Sequence, residues 1–250
     1  MKVIAVVGIR SQYIKLCSIQ RMLKKQKLFN GNIDIIYINA GQHYDYELSK
    51  GFIDELDIKF DETLEYDCLD PIRIFSEMVY KLYLLFLKYD RISPVDYVMT
   101  FGDANTTMAT AIAASKAGIK LTHVEAGLRL GNLNSPEEGN RIVADHLSTR
   151  LYVSNKADWK NIVREGLECK SFFSGDIIQD LVIDVKTNGL LNRQISYLSD
   201  SFHRYTKSNY VLASLHRKEN IKLHCIEPLF KVLNEIEHNV IFLAHPTVIE

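Results

Sequence analysis

Cysteine is sparse and scattered: Cys17, Cys68, Cys169 and Cys225 are the only four in 250 residues, and no two form a CxxC pair. That spacing offers neither a zinc site nor a disulfide framework, and it fits a reducing cytoplasm. A surplus of basic charge is also missing. The formal net charge is -1, whereas a protein that grips phosphate backbones normally carries basic residues in excess on one face, so nucleic acid is set aside as a partner. Long apolar runs are absent too. At the N-terminus, MKVIAVVGIR reaches a charge too soon to be the core of a signal peptide. The segment from Met78 to Tyr89 is broken by Lys81 and Lys88 and falls well short of the roughly 20 residues a membrane span needs. The first reads as a buried strand and the second as a packed helix, so no membrane partner is expected. Neither GxGxxG nor GxxxxGK[ST] follows the first strand, which argues against a plain dinucleotide or NTPase loop.

What remains is the composition of an ordinary soluble globular protein, 47% hydrophobic and 24% charged, long enough for one large α/β domain or for a domain and part of another. Short β-branched runs alternate with helical patterns, which implies parallel strands joined by crossover helices. The pattern predicts strands at 2–7, 33–39, 96–101, 120–124, 150–153 and 171–174. Between them it predicts helices at 12–27, 45–55, 71–90, 105–117, 137–147, 156–165 and 177–187. From Lys186 to Lys207 the period is lost, and the alternation restarts with strand 209–214, helix 222–236 and strand 239–244. The expected organisation is a Rossmann-like domain over 1–186, then a linker and a partial second domain over 187–250. Two strands and one helix leave a parallel sheet face uncovered, so the second domain reads as incomplete.

Chemistry concentrates where strands end, since in an open parallel sheet those ends face one crevice. Asp103 and Glu125 each close an apolar run and precede helix-forming sequence. Asp103 also suits a helix N-cap, whereas Glu125, with Ala126-Gly127 behind it, reads as a partly desolvated carboxylate fit for acid/base work. In Ser135-Pro136-Glu137-Glu138, Ser135 suits an N-cap, Pro136 the first helical position and Glu138 a capping-box partner. Glu137 is left without a structural task. Arg141 lies four residues from both Glu137 and Asp145, a spacing that also describes a solvated salt-bridge ladder. In the first loop Arg10 and Lys15 are placed to reach a diphosphate, or else to sit in water beside a turn permitted by Gly8. His43, His216 and His245 each follow a strand. A lone histidine in a loop is more often structural, and only position raises these three.

As a set, GDANTTMATAIAA, HVEAGLR, SPEEGNRIVADH, the GD(x)3D segment from Gly175 to Asp180, LHRKEN and AHPT resemble the non-hydrolysing UDP-N-acetylglucosamine 2-epimerases over essentially the whole chain. The hydrolysing relatives differ at Glu125-Ala126-Gly127, so the retained segment favours the non-hydrolysing branch. The resemblance implies an α/β fold of two Rossmann-like domains of GT-B type, with the second incomplete here. It implies interconversion of UDP-GlcNAc and UDP-ManNAc through a 2-acetamidoglucal, without metal or nicotinamide cofactor. By motif position the catalytic groups would be Asp103, Glu125, Glu137 and His216. The substrate-binding groups would be Arg10, Lys15, His43, Arg141 and His245. A homodimer, or a complementary chain, is the implied partner beside the UDP-sugar.

The departures are specific. Where the family usually reads GTRPE, this chain keeps Gly8 and Arg10 but has Ile9, Ser11 and Gln12, and Ala104 stands where Thr usually follows GD. Family members also continue beyond the equivalent of His245-Pro246 through a loop that grips uridine and ribose. The sequence therefore supports two readings, an epimerase acting on UDP-GlcNAc or another UDP-2-acetamido sugar, or a non-catalytic remnant that binds a sugar nucleotide or a partner.

Overall fold

The first strand decides the architecture, because Lys2–Val7 is buried along its whole length. A strand buried on both faces belongs inside a parallel sheet with helices on either side. In the computed structural model, which describes residues 1–25, 33–41, 51, 53–54, 56–187, 209–215 and 222–244, the chain divides into two compact units, Met1–Leu190 and Leu191–Glu250.

The first unit is a parallel sheet with helices on both faces. Its strands are β1 (Lys2–Val7), β2 (Asp34–Asn39), β3 (Glu62–Thr63), β4 (Tyr97–Phe101), β5 (Leu121–Ala126), β6 (Arg150–Val153) and β7 (Ser171–Phe173). They are ordered β3-β2-β1-β4-β5-β6-β7. The order reverses between β1 and β4, which makes the carboxyl ends of those two strands the topological switch point where such sheets form a ligand crevice. Strand β3 was not anticipated. At two residues it carries no period, and only its pairing with Ile38 and Asn39 of β2 defines it.

The helices of this unit are α1 (Arg10–Lys25), α2 (Pro71–Ile92), α3 (Asn105–Ala117), α4 (Pro136–Leu147), α5 (Lys156–Arg164) and α6 (Ile177–Thr187). Each lies within a few residues of its expected span; the predicted helix at 45–55 falls mostly outside the described residues. Helix α2 starts where Asp70 accepts from the Arg73 N–H at 2.7 Å and Pro71 takes the first helical position, a start that orphan amides and a fixed φ both favour. It turns Ile74, Met78, Leu82 and Phe86 inward, four residues apart.

Alternation along β1 divides the core. Ile4 and Val6 join that α2 face and the alanines of α3, whereas Ala5 and Val7 join Tyr13, Leu16 and Cys17 of α1 on the other side. Helix α3 is made mostly of small residues, alanine and threonine above all, and is buried over most of its surface. With those small residues on its buried sides it packs against α2, α4 and the sheet, its N-terminus following the end of β4. In the second unit β8 (Tyr210–Leu215) pairs in parallel with β9 (Asn239–Ala244), joined by α7 (Leu223–Asn234). Among the described residues no helix is long and apolar enough to cross a membrane.

One close approach sets a limit on sequence. Gly127 has φ +87°, and a Cβ there would lie 2.7 Å from both the Asp158 carbonyl oxygen and Ile162 Cγ1. Gly127→Ala is expected to cost about 3 kcal/mol, combining an unfavourable backbone conformation with overpacking. Urea unfolding measures it, and a loss below about 1 kcal/mol would show that the contact relaxes freely.

Candidate active site

The turn after β1 is held from below. Gly8 is packed so tightly that a Cβ would collide with Thr106 Oγ1. Its N–H donates to Gln12 Oε1 at 2.7 Å, and Gln12 Nε2 donates to the Phe101 carbonyl at 2.7 Å and to Thr107 Oγ1 at 3.0 Å. The glutamine that departs from the familiar loop thus ties the first turn to the end of β4. Arg10 is exposed at the first position of α1.

Lys15 is not solvated. It is 5% exposed, and its ammonium pairs with Glu125 Oε2. Glu125 itself does not close its strand as expected, since β5 runs on to Ala126. The register with β6 shifts between Val124 and Ala126, and Glu125 takes φ +71°. A residue with a Cβ pays roughly 1–2 kcal/mol for that conformation, and β-bulges commonly re-aim a side chain in this way. Gly102 lies beneath the pair, for a Cβ on it would stand 3.2 Å from both Glu125 Oε2 and Lys15 Nζ.

Asp103 is not a helix cap. The N-cap of α3 is Ala104, and the Asp103 carboxylate pairs with the Arg141 guanidinium. Asn140 Nδ2 donates to the Asp103 carbonyl at 2.8 Å and fixes the same turn. The solvated ladder that the α4 spacing also described is not where Arg141 sits. Arg141 is 7% exposed and turns inward, with its second partner Glu138 at 3.3 Å.

The capping box is also replaced. Ser135 is the N-cap, but its hydroxyl donates to Glu137, while Glu138 accepts from the Leu130 and Gly131 N–H groups at 2.8–3.0 Å. Burial works to raise the Glu138 pKa, but these two amides and Arg141 prevail and hold it below the usual carboxylate range. Glu137 is exposed in the first turn of α4.

Beneath these groups lies Asp145, fully buried between His123 and Arg129, at 2.7 and 2.8 Å. Burial again pushes its pKa up, and again loses, here to the His123 hydrogen bond and the charges of His123 and Arg129. Neither Asp145 nor His123 was anticipated as a site residue. The available signal was a histidine inside the strand-forming run Leu121-Thr122-His123-Val124. Asp158 is buried as well, and burial followed by the nearby Glu125 charge raises its pKa against the Asn155 hydrogen bond. His43, His216 and His245 lie outside the described residues. Among the described residues no cluster of His, Cys, Asp and Glu side chains could hold a metal ion.

The sequence model of one family, described as UDP-N-acetylglucosamine 2-epimerase, matches residues 26–250. The chain belongs to that family. It is 33% identical over 255 residues to a UDP-N-acetylglucosamine 2-epimerase homolog of Methanococcus maripaludis, covering 98% of this chain and 66% of the relative. It is 31% identical to the UDP-2,3-diacetamido-2,3-dideoxy-D-glucuronate 2-epimerase of Pseudomonas aeruginosa, covering 96% of this chain and 64% of that one. The Methanocaldococcus jannaschii UDP-GlcNAc 2-epimerase, solved in complex with UDP-GlcNAc and UDP, superposes with a TM-score of 0.76 at 30% identity, covering 99% of this chain and 67% of its own. The fold class shared with such structures is the expected one, α/β with two Rossmann-like units of GT-B type. The chain spans about two thirds of the length of the curated relatives it matches.

In this epimerase-family unit, two carboxylates on adjacent strand ends are each matched to a buried cation. Such an arrangement suits carboxylates that accept a proton or face developing positive charge. The lowered folded-state pKa of Glu138 and of Asp145 has a direct consequence for stability. Each contributes fully above the unfolded carboxyl value of about 4 and loses that contribution as pH falls through its lower folded value. Unfolding free energy is expected to decline below about pH 5, with Glu138→Gln flattening part of that decline. Urea titrations between neutral and acid pH measure it; an equally steep decline in the variant would contradict the assignment.

Proposed function

We propose that this chain is a UDP-sugar 2-epimerase that interconverts UDP-GlcNAc and UDP-ManNAc by eliminating UDP and adding it back. The reading is carried by one arrangement in a member of this family: Glu125 on Lys15 and Asp103 on Arg141, at the ends of neighbouring strands. In the elimination a carboxylate takes the C2 proton, the C1–C2 double bond forms, and the C1–O bond breaks with its electron pair leaving on UDP. Re-addition delivers a proton to the opposite face of C2 and re-forms the C1–O bond.

The residue types suit this sequence. Positive charge that develops on the sugar as UDP departs is stabilised by ionised carboxylates, and a positioned carboxylate moves the C2 proton. A diphosphate entering the site draws on Lys15, Arg141 and the exposed Arg10, releasing oxygens of Glu125 and Asp103 towards the sugar. By motif position, Glu137 completes the acidic set and His216 assists at the diphosphate or in proton transfer. His43 and His245 join in holding the nucleotide. A second substrate has a specific observation behind it, because similarity to the diacetamido-glucuronate 2-epimerase is almost as high as to the homolog from Methanococcus maripaludis. That favours assaying a UDP-2,3-diacetamido sugar beside UDP-GlcNAc.

The test is incubation of the chain with each UDP-sugar in D2O, followed by NMR. Deuterium at C2 and appearance of the C2 epimer are expected for the true substrate, and no exchange with either sugar by the folded protein would overturn the reading. Glu125→Gln is expected to reduce turnover by about 100-fold or more with folding retained by circular dichroism, the usual weight of a proton-transfer group. Undiminished turnover in that variant would remove Glu125 from the mechanism.

A further inference from the structure

Asp145 and His123 are both completely buried, so neither touches a substrate. Asp145 lies on α4 and reaches two different strand ends. Its Oδ2 accepts from the Gly127 N–H at 3.0 Å, two residues beyond Glu125, and lies 2.8 Å from Arg129 Nη1. Its Oδ1 meets His123 Nδ1 at 2.7 Å, and His123 Nε2 meets the Gly102 carbonyl oxygen at 2.8 Å, one residue before Asp103.

Both ring nitrogens of His123 therefore face acceptors. A carbonyl oxygen has no hydrogen to donate, and an ionised carboxylate has none either, so each nitrogen must carry one for both contacts to be hydrogen bonds. Asp145 in turn receives from three donors with its two oxygens. Arg129 is fixed from behind by two 2.7 Å bonds to Glu165, so the carboxylate has little freedom to shift. The segment on either side of the strained Glu125 is pinned elsewhere too. The Val124 carbonyl accepts from the Gly102 N–H at 3.0 Å, and the Gly127 carbonyl accepts from Asn161 Nδ2 at 3.0 Å.

We propose that Asp145 and His123 are positioning residues that clamp the Gly102-Asp103 turn to the Glu125 bulge and so set the spacing of the two carboxylates across the site. The proposal rests on the epimerase reading. A clamp of this kind acts on kcat rather than on substrate affinity, because misplacing reacting groups by about 1 Å costs on the order of 100-fold, while the surfaces that hold the nucleotide are untouched. In Asp145→Asn the amide presents one acceptor oxygen to three donors, and in His123→Gln the two-ended contact is cut.

The test uses the full chain and the UDP-sugar that exchanges in D2O. Each variant is expected to lose about 100-fold in kcat with KM within about threefold of wild type, the pattern of an interaction realised in the transition state. In the unmodified chain, nitrogen-15 NMR of labelled histidine is expected to show one imidazole with two protonated ring nitrogens whose hydrogens exchange slowly with solvent. A folded Asp145→Asn or His123→Gln protein with kcat within about twofold of wild type, or an unprotonated ring nitrogen at His123, would overturn the proposal. If Asp145→Asn does not fold, His123→Gln carries the kinetic test. If the unmodified chain epimerises neither UDP-sugar, the functional reading falls on its own. The clamp is then decided by the His123 nitrogens: two slowly exchanging hydrogens keep it and one bare nitrogen removes it.

Discussion

A charge taken out of water has to be met by a partner, and around the carboxyl ends of β1, β4 and β5 that requirement organises the first unit. Lys15 meets Glu125, Arg141 meets Asp103 and Glu138, and Asp145 meets His123 and Arg129. Removing one member of such a pair leaves its partner buried and uncompensated, which destabilises far more than the pair itself stabilises. The pairs also join elements distant in sequence: α1 to β5, the turn after β4 to α4, and β5 to α4. Architecture and site thus share the same side chains.

The sheet supplies the frame for those pairs. Because β1 is buried on both faces it occupies the interior of the sheet, and the order reverses beside it, between β1 and β4. The small residues of α3 then allow the helix to lie close to the strands, bringing the turn at Gly102-Asp103 against α4, where Arg141 and Asn140 receive it. At Glu125 the backbone leaves its favoured conformation, and the hydrogen bonds on either side of the bulge hold it there. Strain concentrated at one acidic residue and supported by its neighbours is a recurrent mark of functional positions.

Much of the fold was legible in advance for physical reasons that are local. Short β-branched runs mark the strands, the helical periods between them mark the helices, and Ser135-Pro136 marks the start of α4. Strand β3 was not legible, because its two residues are defined by pairing alone. For the site, residue types were legible and partners were not. The helical spacing of Glu137, Arg141 and Asp145 does place them on one side of α4, yet spacing says nothing about which face meets water. Arg141 and Asp145 turn inward to different partners, whereas Glu137 stays at the surface. Glu138 fits a capping box by position, but two amides of the preceding loop offered it better hydrogen bonds.

The sequence by itself determined the class of fold, the approximate place of almost every described element, and the acidic and basic groups that gather at strand ends. These follow from periodicity, capping and turn chemistry, which act over a few residues. Only the tertiary structure decided that the sheet order reverses beside β1, that Lys15 is buried against Glu125, and that a histidine in β5 and an aspartate in α4 link two acidic turns. Those outcomes depend on contacts between residues about twenty to more than a hundred positions apart, as with His123 and Asp145 or Lys15 and Glu125. No local propensity encodes them, because each exists only once packing has closed the distance and desolvation has made an unpaired charge too costly to leave.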